Sequence, residues 1–324
     1  MGITEDYLHI CTQGGYFDFS LEGKILISGK ERITFLNGLI SNDVLSLPPG
    51  KGMYAAFLDK FGRIQADCHL FNFENHVLII LPFSRKKIIV KQLQESAVFA
   101  DVRIEDITSH YALLSFQGKN STPFLRELVG KEVTVLLSQG IMESVFDVDV
   151  AILSIHRSLL DSVDLLIPAA AYPQLLPRIT DLATRHSIRK STYKVYDILR
   201  LEAGIPLFGI DMDATTVLPE IGMGAINTMK GCYLGQEVVA RIVQRGQGIT
   251  AKRLVKLESE SGETFPPHTP LLCEKKKVGY LTSNAFSPGL QKVVALGFVL
   301  RGFYDTVSEV EIGTTGRKGR VIPC

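Results

Sequence analysis

The eight residues Lys230-Gly-Cys-Tyr-Leu-Gly-Gln-Glu237 bring a thiol, a cation, two glycines, an amide and a carboxylate together in one short stretch. A thiolate, not a thiol, attacks electrophiles and binds soft metals, so the chemistry turns on whether the surroundings of Cys232 favour the anion. After Gly235, Val238, Val239 and Ile242 recur at helical spacing, which predicts a helix with Cys232 just ahead of its N-terminus. There the positive end of the helix dipole favours a thiolate. Lys230, and Arg241 or Arg245, would push the same way, while Gly231 and Gly235 permit tight backbone on either side. Cys232 therefore reads as a nucleophile or soft-metal ligand, against the alternative that it is inert packing like most free cysteines. Cys11, Cys68, Cys273 and Cys324 have no such neighbours and read as packing.

A second candidate group lies upstream. Thr192 to Ala203 predicts a helix stopped by Gly204 and Pro206, with Tyr196 inside it and Glu202 near its end. Glu202 is either a ligand-binding acid or a solvated carboxylate, and Tyr196 either a stacking platform or core. Their six-residue spacing does not share a face of an ideal helix, so both reach one cavity only if the helix ends near Glu202. Asn42-Asp43 follows a predicted helix and either caps the next turn or touches a ligand.

The elements that must position these residues follow from pattern. Lys24–Ser28 reads as a strand, Glu31–Ile40 as a helix, and Met53–Leu58, Ile64–Phe73 and Val77–Leu81 as an antiparallel meander. Ser84 opens a helix through about Ala97, and Phe99–Ile104 alternates as a strand. The middle repeats the mixture, with Tyr111–Phe116 and Val163–Ile167 as strands, a helix opened by Thr122-Pro123, and another running into the 180s. Pro206–Met229 has little periodicity and reads as a long functional loop. Beyond Thr250 come only short strands, at Arg253–Leu257, Leu271–Cys273, Val278–Thr282, Val293–Leu300 and Val307–Ile312, which suit a small β-barrel or sandwich.

Bulk properties bound the rest. A chain of 324 residues exceeds one ordinary core, and 46% apolar against 21% charged residues supports packed domains throughout. Thirty-five basic against 34 acidic residues leave +1, which supplies no global field for a nucleic-acid backbone, so direct nucleic-acid binding is not expected. Apolar stretches such as Val77–Pro82 are strand-sized, so no membrane span is expected. Glu5 and Asp6 near the start do not fit a secretory signal. Five cysteines without a Cys-x-x-Cys pair argue against a disulfide framework or structural zinc and point to a reducing, cytoplasmic setting. There is no phosphate loop, no complete dinucleotide fingerprint and no His-x-x-x-His spacing, and no metal site is assigned.

The Lys230–Glu237 block, with Ala240-Arg241 and Arg245-Gly246 beyond it, resembles the signature of the YgfZ family. The likeness extends over Phe35–Val44, Met53–Ile64, Leu199–Pro206 and Ala295–Arg301. The resemblance implies an α+β, multi-domain architecture of two interwoven α+β domains and a C-terminal β-barrel around a central cavity that holds tetrahydrofolate. Its expected bounds are 1–110, 111–250 with the cysteine signature, and 251–324 for the barrel. It implies an accessory protein that supports iron–sulfur enzymes as clients, including tRNA-modifying ones, with Cys232 acting at the folate cavity. A pterin presents a ring N–H beside an exocyclic amine, so one carboxylate can accept both. Glu202 matches the family acid suited to this, and Tyr196 falls where relatives carry an aromatic.

The wider relatives are the aminomethyltransferases of the glycine cleavage system, the T-proteins. They have two adjacent acids where this chain has Ala66-Asp67, which weighs against aminomethyl transfer. Two alternatives stay open, a folate-dependent one-carbon transferase and a non-catalytic scaffold.

Overall fold

The computed structural model describes residues 2–323 except Thr134 and Thr315, so Cys324 lies outside the described residues. An antiparallel sheet, a mixed sheet with one parallel pair, and a barrel make up the core of the chain. The first sheet has the strand order Lys51–Leu58, Ile64–Asn72, His76–Leu81, Gly23–Ser28, Arg103–Asp106. The second runs Arg189–Lys190, Gly15–Asp18, Tyr111–Gln117, Ser162–Pro168, Val148–Leu153, Gly140–Val145. Gly15–Asp18 thus leaves the N-terminal half to pair with Tyr111–Gln117 and, in parallel, with Arg189–Lys190. The two halves are interwoven as expected.

Strand alternation decides what each face of the first sheet does. Ala55, Phe57, Ala66, Cys68 and Leu70 point to one side and pack under Leu36 of the Arg32–Asn37 helix and Ile89 and Leu93 of the Phe83–Ser96 helix. Phe71, Leu78 and Ile80 join a core shared with Phe17, Leu113, Leu153 and Leu166 of the second sheet. Into that core the Tyr193–Glu202 helix inserts Val195, Tyr196, Ile198 and Leu199. The helix stops where Gly204 turns left-handed at φ +74°, as its sequence predicts.

Residues 252–323 close a six-stranded barrel, and Leu201 plugs its outer wall against Leu254, Val294, Leu296 and Phe298. Arg200, wholly buried, donates to Asp211 Oδ2 at 2.6 Å, and Asp211 Oδ1 accepts from Thr282 and Ser283 of the barrel. One ion pair thereby ties the helix, the following segment and the barrel together. That segment, 205–235, has a single 3-10 turn at Leu218–Glu220 and otherwise runs as loop, as expected. It covers the start of the Ile64–Asn72 strand, which overhangs its neighbour His76–Leu81, and the turns beside it: Ile64 N–H donates to Thr216 O, Leu218 N–H to Gly62 O and Asn227 N–H to Ser41 O. An open strand edge there would otherwise expose unpaired backbone groups.

Several elements differ from expectation. The strand expected at Phe99–Ile104 begins only at Arg103, and Phe99 is 99% exposed, because the residues before it form turns after the helix. The Phe83–Ser96 helix has Pro82 at its cap rather than Ser84. The Ile3–Thr12 helix, the Gly140–Val145 and Val148–Leu153 hairpin and the final Lys318–Pro323 strand were not anticipated. No described helix is long and apolar enough to cross a membrane.

Candidate functional site

The cysteine loop is built from tight local contacts. Gly235 sits at φ +81°, and a side-chain carbon there would run into the Asp59 carbonyl oxygen. Gly62, at φ +72°, meets the loop from the other side, against Val238 and the Gly235 carbonyl. Gly231, in contrast, has nothing within 4 Å of where a Cβ would lie. Asn227 Oδ1 accepts from the Met229 and Lys230 N–H groups, Gln236 Oε1 accepts from Tyr233 N–H, and Leu234 N–H donates to Gly38 O.

The expected helix is present as Gln236–Ala240 and runs on as a π turn over Arg241–Arg245, a form frequent at functional sites. Cys232 is exposed and lies outside the helix, four residues before its first residue. It opens into a groove of about 590 Å³ lined by Leu39, Lys60, Ser96, Leu234, Gln236 and Glu237 among others. Glu202 and Tyr196 are not among the lining residues. The next residue is buried although it borders the groove: Tyr233 joins a cluster with Ala56, Leu58 and Ile64, against which the partly buried Tyr54 packs.

Lys230 does not address the thiol. Its ammonium donates to the carbonyls of Asn37, Ile40 and Asn42, each at 2.7 Å, and lies 4.8 Å from the Tyr233 ring centre. Burial lowers its pKa to about 8, with Asp43 pulling the other way. Asn42 and Asp43 make local turn bonds: Asn42 Nδ2 donates to Tyr54 O, its Oδ1 accepts from Asp43 N–H, and Asp43 Oδ1 accepts from Leu45 N–H. Glu237 and Arg241 are exposed.

A second cluster lies on the inner face of the first sheet. Tyr54 stands opposite His69 in register, and its hydroxyl donates diagonally to Asp67 Oδ2 at 3.1 Å. Asp67 Oδ1 is sealed from solvent and has no hydrogen-bond partner. Burial raises the Asp67 carboxyl to about 6, although Tyr54 and a backbone donor oppose it, and burial lowers His69 to about 3. Arg157 grips Glu22 with two bonds of 2.9 Å and Asp164 with one of 2.7 Å. Its guanidinium lies 4.1 Å from the Phe19 ring centre. Burial works against the charge on Arg157, but Asp164 and Glu22 outweigh it and hold the pKa well above the usual range.

Tyr196 belongs to this region. It packs edge-on to Phe19, and burial holds its hydroxyl above its ordinary pKa, Arg157 and Glu22 acting on it as well. Glu202 keeps different company. Its Oε1 accepts from the hydroxyls of Tyr7, in the N-terminal helix, and Ser287, in the barrel. With Oε1 filled, a bidentate grip on a ligand from Glu202 requires one of these hydroxyls to let go. Burial raises the Glu202 carboxyl despite both donors.

Sequence reading saw Asp67 only as the survivor of an acid pair and passed over Tyr54, His69 and Arg157. The signal was available: a β-strand alternates, so Asp67 and His69 share the face that Ala66 and Cys68 do not.

Two interwoven α+β units with a closed C-terminal barrel define a three-part body of the T-protein kind. The chain belongs to the glycine cleavage T-protein family: residues 1–231 match the GCVT N-terminal domain and residues 252–323 the glycine cleavage T-protein C-terminal barrel domain. The aminomethyltransferase of Desulfitobacterium hafniense is 25% identical over 99% of this chain and 89% of its own length. That of Thermotoga neapolitana is 26% identical over 92% of this chain and 82% of its own. The crystal structure of glycine cleavage system aminomethyltransferase T from Bartonella henselae superposes with a TM-score of 0.88 at 20% identity, covering all of this chain and 88% of that one.

Proposed function

We propose that this chain is a tetrahydrofolate-binding protein of the YgfZ type that supports iron–sulfur enzymes, including tRNA-modifying ones, in the cytoplasm. The observation that carries the reading is the cysteine loop itself: one anchored segment exposes Cys232 at a groove and buries the neighbouring Tyr233 in a cluster against which Tyr54, bonded to Asp67, packs. The interior suits a folate. An unpartnered, sealed carboxylate oxygen on Asp67 is what a pterin N–H would satisfy, and leaving such an atom unfilled is costly. Tyr54 and Tyr196 supply aromatic surface nearby, and Glu202 can offer its second oxygen. Cys232 then acts from the groove side of the same loop, where a client's thiol, cluster or electrophile can reach it.

A second reading, aminomethyl transfer, is favoured by one observation. Ala66, which replaces one acid of the T-protein pair, points into hydrocarbon between the sheet and its helices, whereas Asp67 faces the interior. The chain has therefore kept the acid on the face where chemistry would occur, and its curated relatives carry the name aminomethyltransferase.

Calorimetry with tetrahydrofolate, combined with activity of an iron–sulfur client in cells lacking the native chain, separates the readings. The expected result is binding by the wild type and by Cys232→Ser, and binding weakened about tenfold or more in Asp67→Asn, the range for a hydrogen bond to a charged group. Cys232→Ser alone should fail to support the client. Aminomethyl turnover that survives Cys232→Ser and disappears in Asp67→Asn would establish the transferase instead. A wild type that gives no heat with tetrahydrofolate defeats both and leaves a scaffold.

A further inference from the structure

We infer that Lys230 is a positioning residue, a tethered cation that occupies a cage of backbone carbonyls and thereby fixes where Cys232 opens to the surface. The cage is made by Asn37 O, at the end of the Arg32–Asn37 helix, with Ile40 O and Asn42 O from the turn that follows. Helix C-termini leave carbonyls without intrahelical partners and carry the negative end of the dipole, so a cation is their natural complement. The ammonium has three N–H donors, and each finds one oxygen at 2.7 Å. The Tyr233 ring, 4.8 Å from the ammonium, supplies its electron-rich face from within the same loop. Rings of carbonyls of this kind replace the water around a bare monovalent cation in other proteins. Here the cation arrives on a side chain, and the chain that carries it is pulled in with it.

The consequence for the thiol follows from chain connectivity. Cys232 is two residues from the clamp on one side and three from Gly235 on the other, where the backbone is pressed against Asp59. Leu234 N–H adds a bond to Gly38 O, one residue past Asn37. Gly38 and Leu39 line the groove together with residues 232–237, and the clamp grips the carbonyls of Asn37 and Ile40 on either side of Gly38–Leu39. Without it the loop keeps the Asn227 cap, the Leu234–Gly38 bond and its hold at Gly235, but loses the three bonds that fix residue 230 against the Asn37–Asn42 turn, and the groove loses its fixed width. This role stands whatever Cys232 reacts with.

The test reads loop geometry, not client support. Lys230→Met keeps an apolar stem and loses the charge; chymotryptic cleavage after Tyr233 should accelerate at least tenfold, while Cys232→Ser should cleave at the wild-type rate. Ammonium or potassium chloride should slow cleavage of Lys230→Met several-fold, and tetramethylammonium chloride at the same concentration should not, being too large for the cage. Cleavage of Lys230→Met at the wild-type rate, or acceleration indifferent to the choice of cation, overturns the inference. A companion measurement needs no variant: in trace acetylation of the native protein, Lys230 should label at least tenfold more slowly than Lys60 on the groove wall. Equal labelling overturns the inference even if Lys230→Met does not fold.

Discussion

Asp67 shows how a single ionisable side chain opposes the fold that holds it. Burial lifts its carboxyl from 3.8 to about 6. Between those values the folded chain holds a proton that the unfolded chain has lost, so stability from this group falls as pH rises through that window. Above about pH 6 the penalty is complete, on the order of 3 kcal/mol. Asn at this position keeps the shape and can still accept from Tyr54, yet carries no charge to desolvate. Asp67→Asn should therefore melt a few degrees above the wild type at pH 7.5, with the gap closing near pH 4, as followed by thermal melting across pH. A gap unchanged at pH 4 would assign the effect to packing.

Elements differ in how openly the sequence displays them. The two glycines of the cysteine signature look alike as letters, but only Gly235 has a left-handed backbone and a carbonyl in the space of its Cβ, while Gly231 faces open space. Gly235→Ala should cost about 2 kcal/mol or more and lower the urea midpoint, whereas Gly231→Ala should leave it within experimental error. The central meander was legible because Ile64–Asn72 and His76–Leu81 alternate or run apolar in strand-length blocks. The hairpin of Gly140–Val145 and Val148–Leu153 was not, for a physical reason: its turn places Phe146 and Asp147 at φ +51° and +67°, where Asn-Gly is the usual signal. At the site, the cysteine block was visible as a local string of residues. The Tyr54–Asp67–His69 cluster depends on register between two strands, and the Arg157–Glu22 pair spans 135 positions of sequence. Long-range pairings leave no local signature. The same limit hid the true partners of Lys230, which lie 188 to 193 residues away.

At the scale of the molecule, cohesion runs through the buried Arg200–Asp211 pair, which links the Tyr193–Glu202 helix to Thr282 and Ser283 of the barrel. Asp211→Ala strips Arg200 of its sealed partner and removes an acceptor from both hydroxyls. The expected loss is about 3–5 kcal/mol, the range for breaking a buried pair, and calorimetry should show the barrel melting apart from the body. Replacing both charges, as Arg200→Met with Asp211→Leu, should recover part of that loss, because no lone charge is then left inside. A different consequence follows from the strand Gly15–Asp18, whose neighbours are Tyr111–Gln117 and Arg189–Lys190. As the chain leaves the ribosome, that early segment can pair with Tyr111–Gln117 once about a third of the polypeptide has been made, but its other partner, Arg189–Lys190, comes only after more than half. The second sheet therefore stays incomplete while the first can already close, and its completion is timed by translation of the sequence that follows.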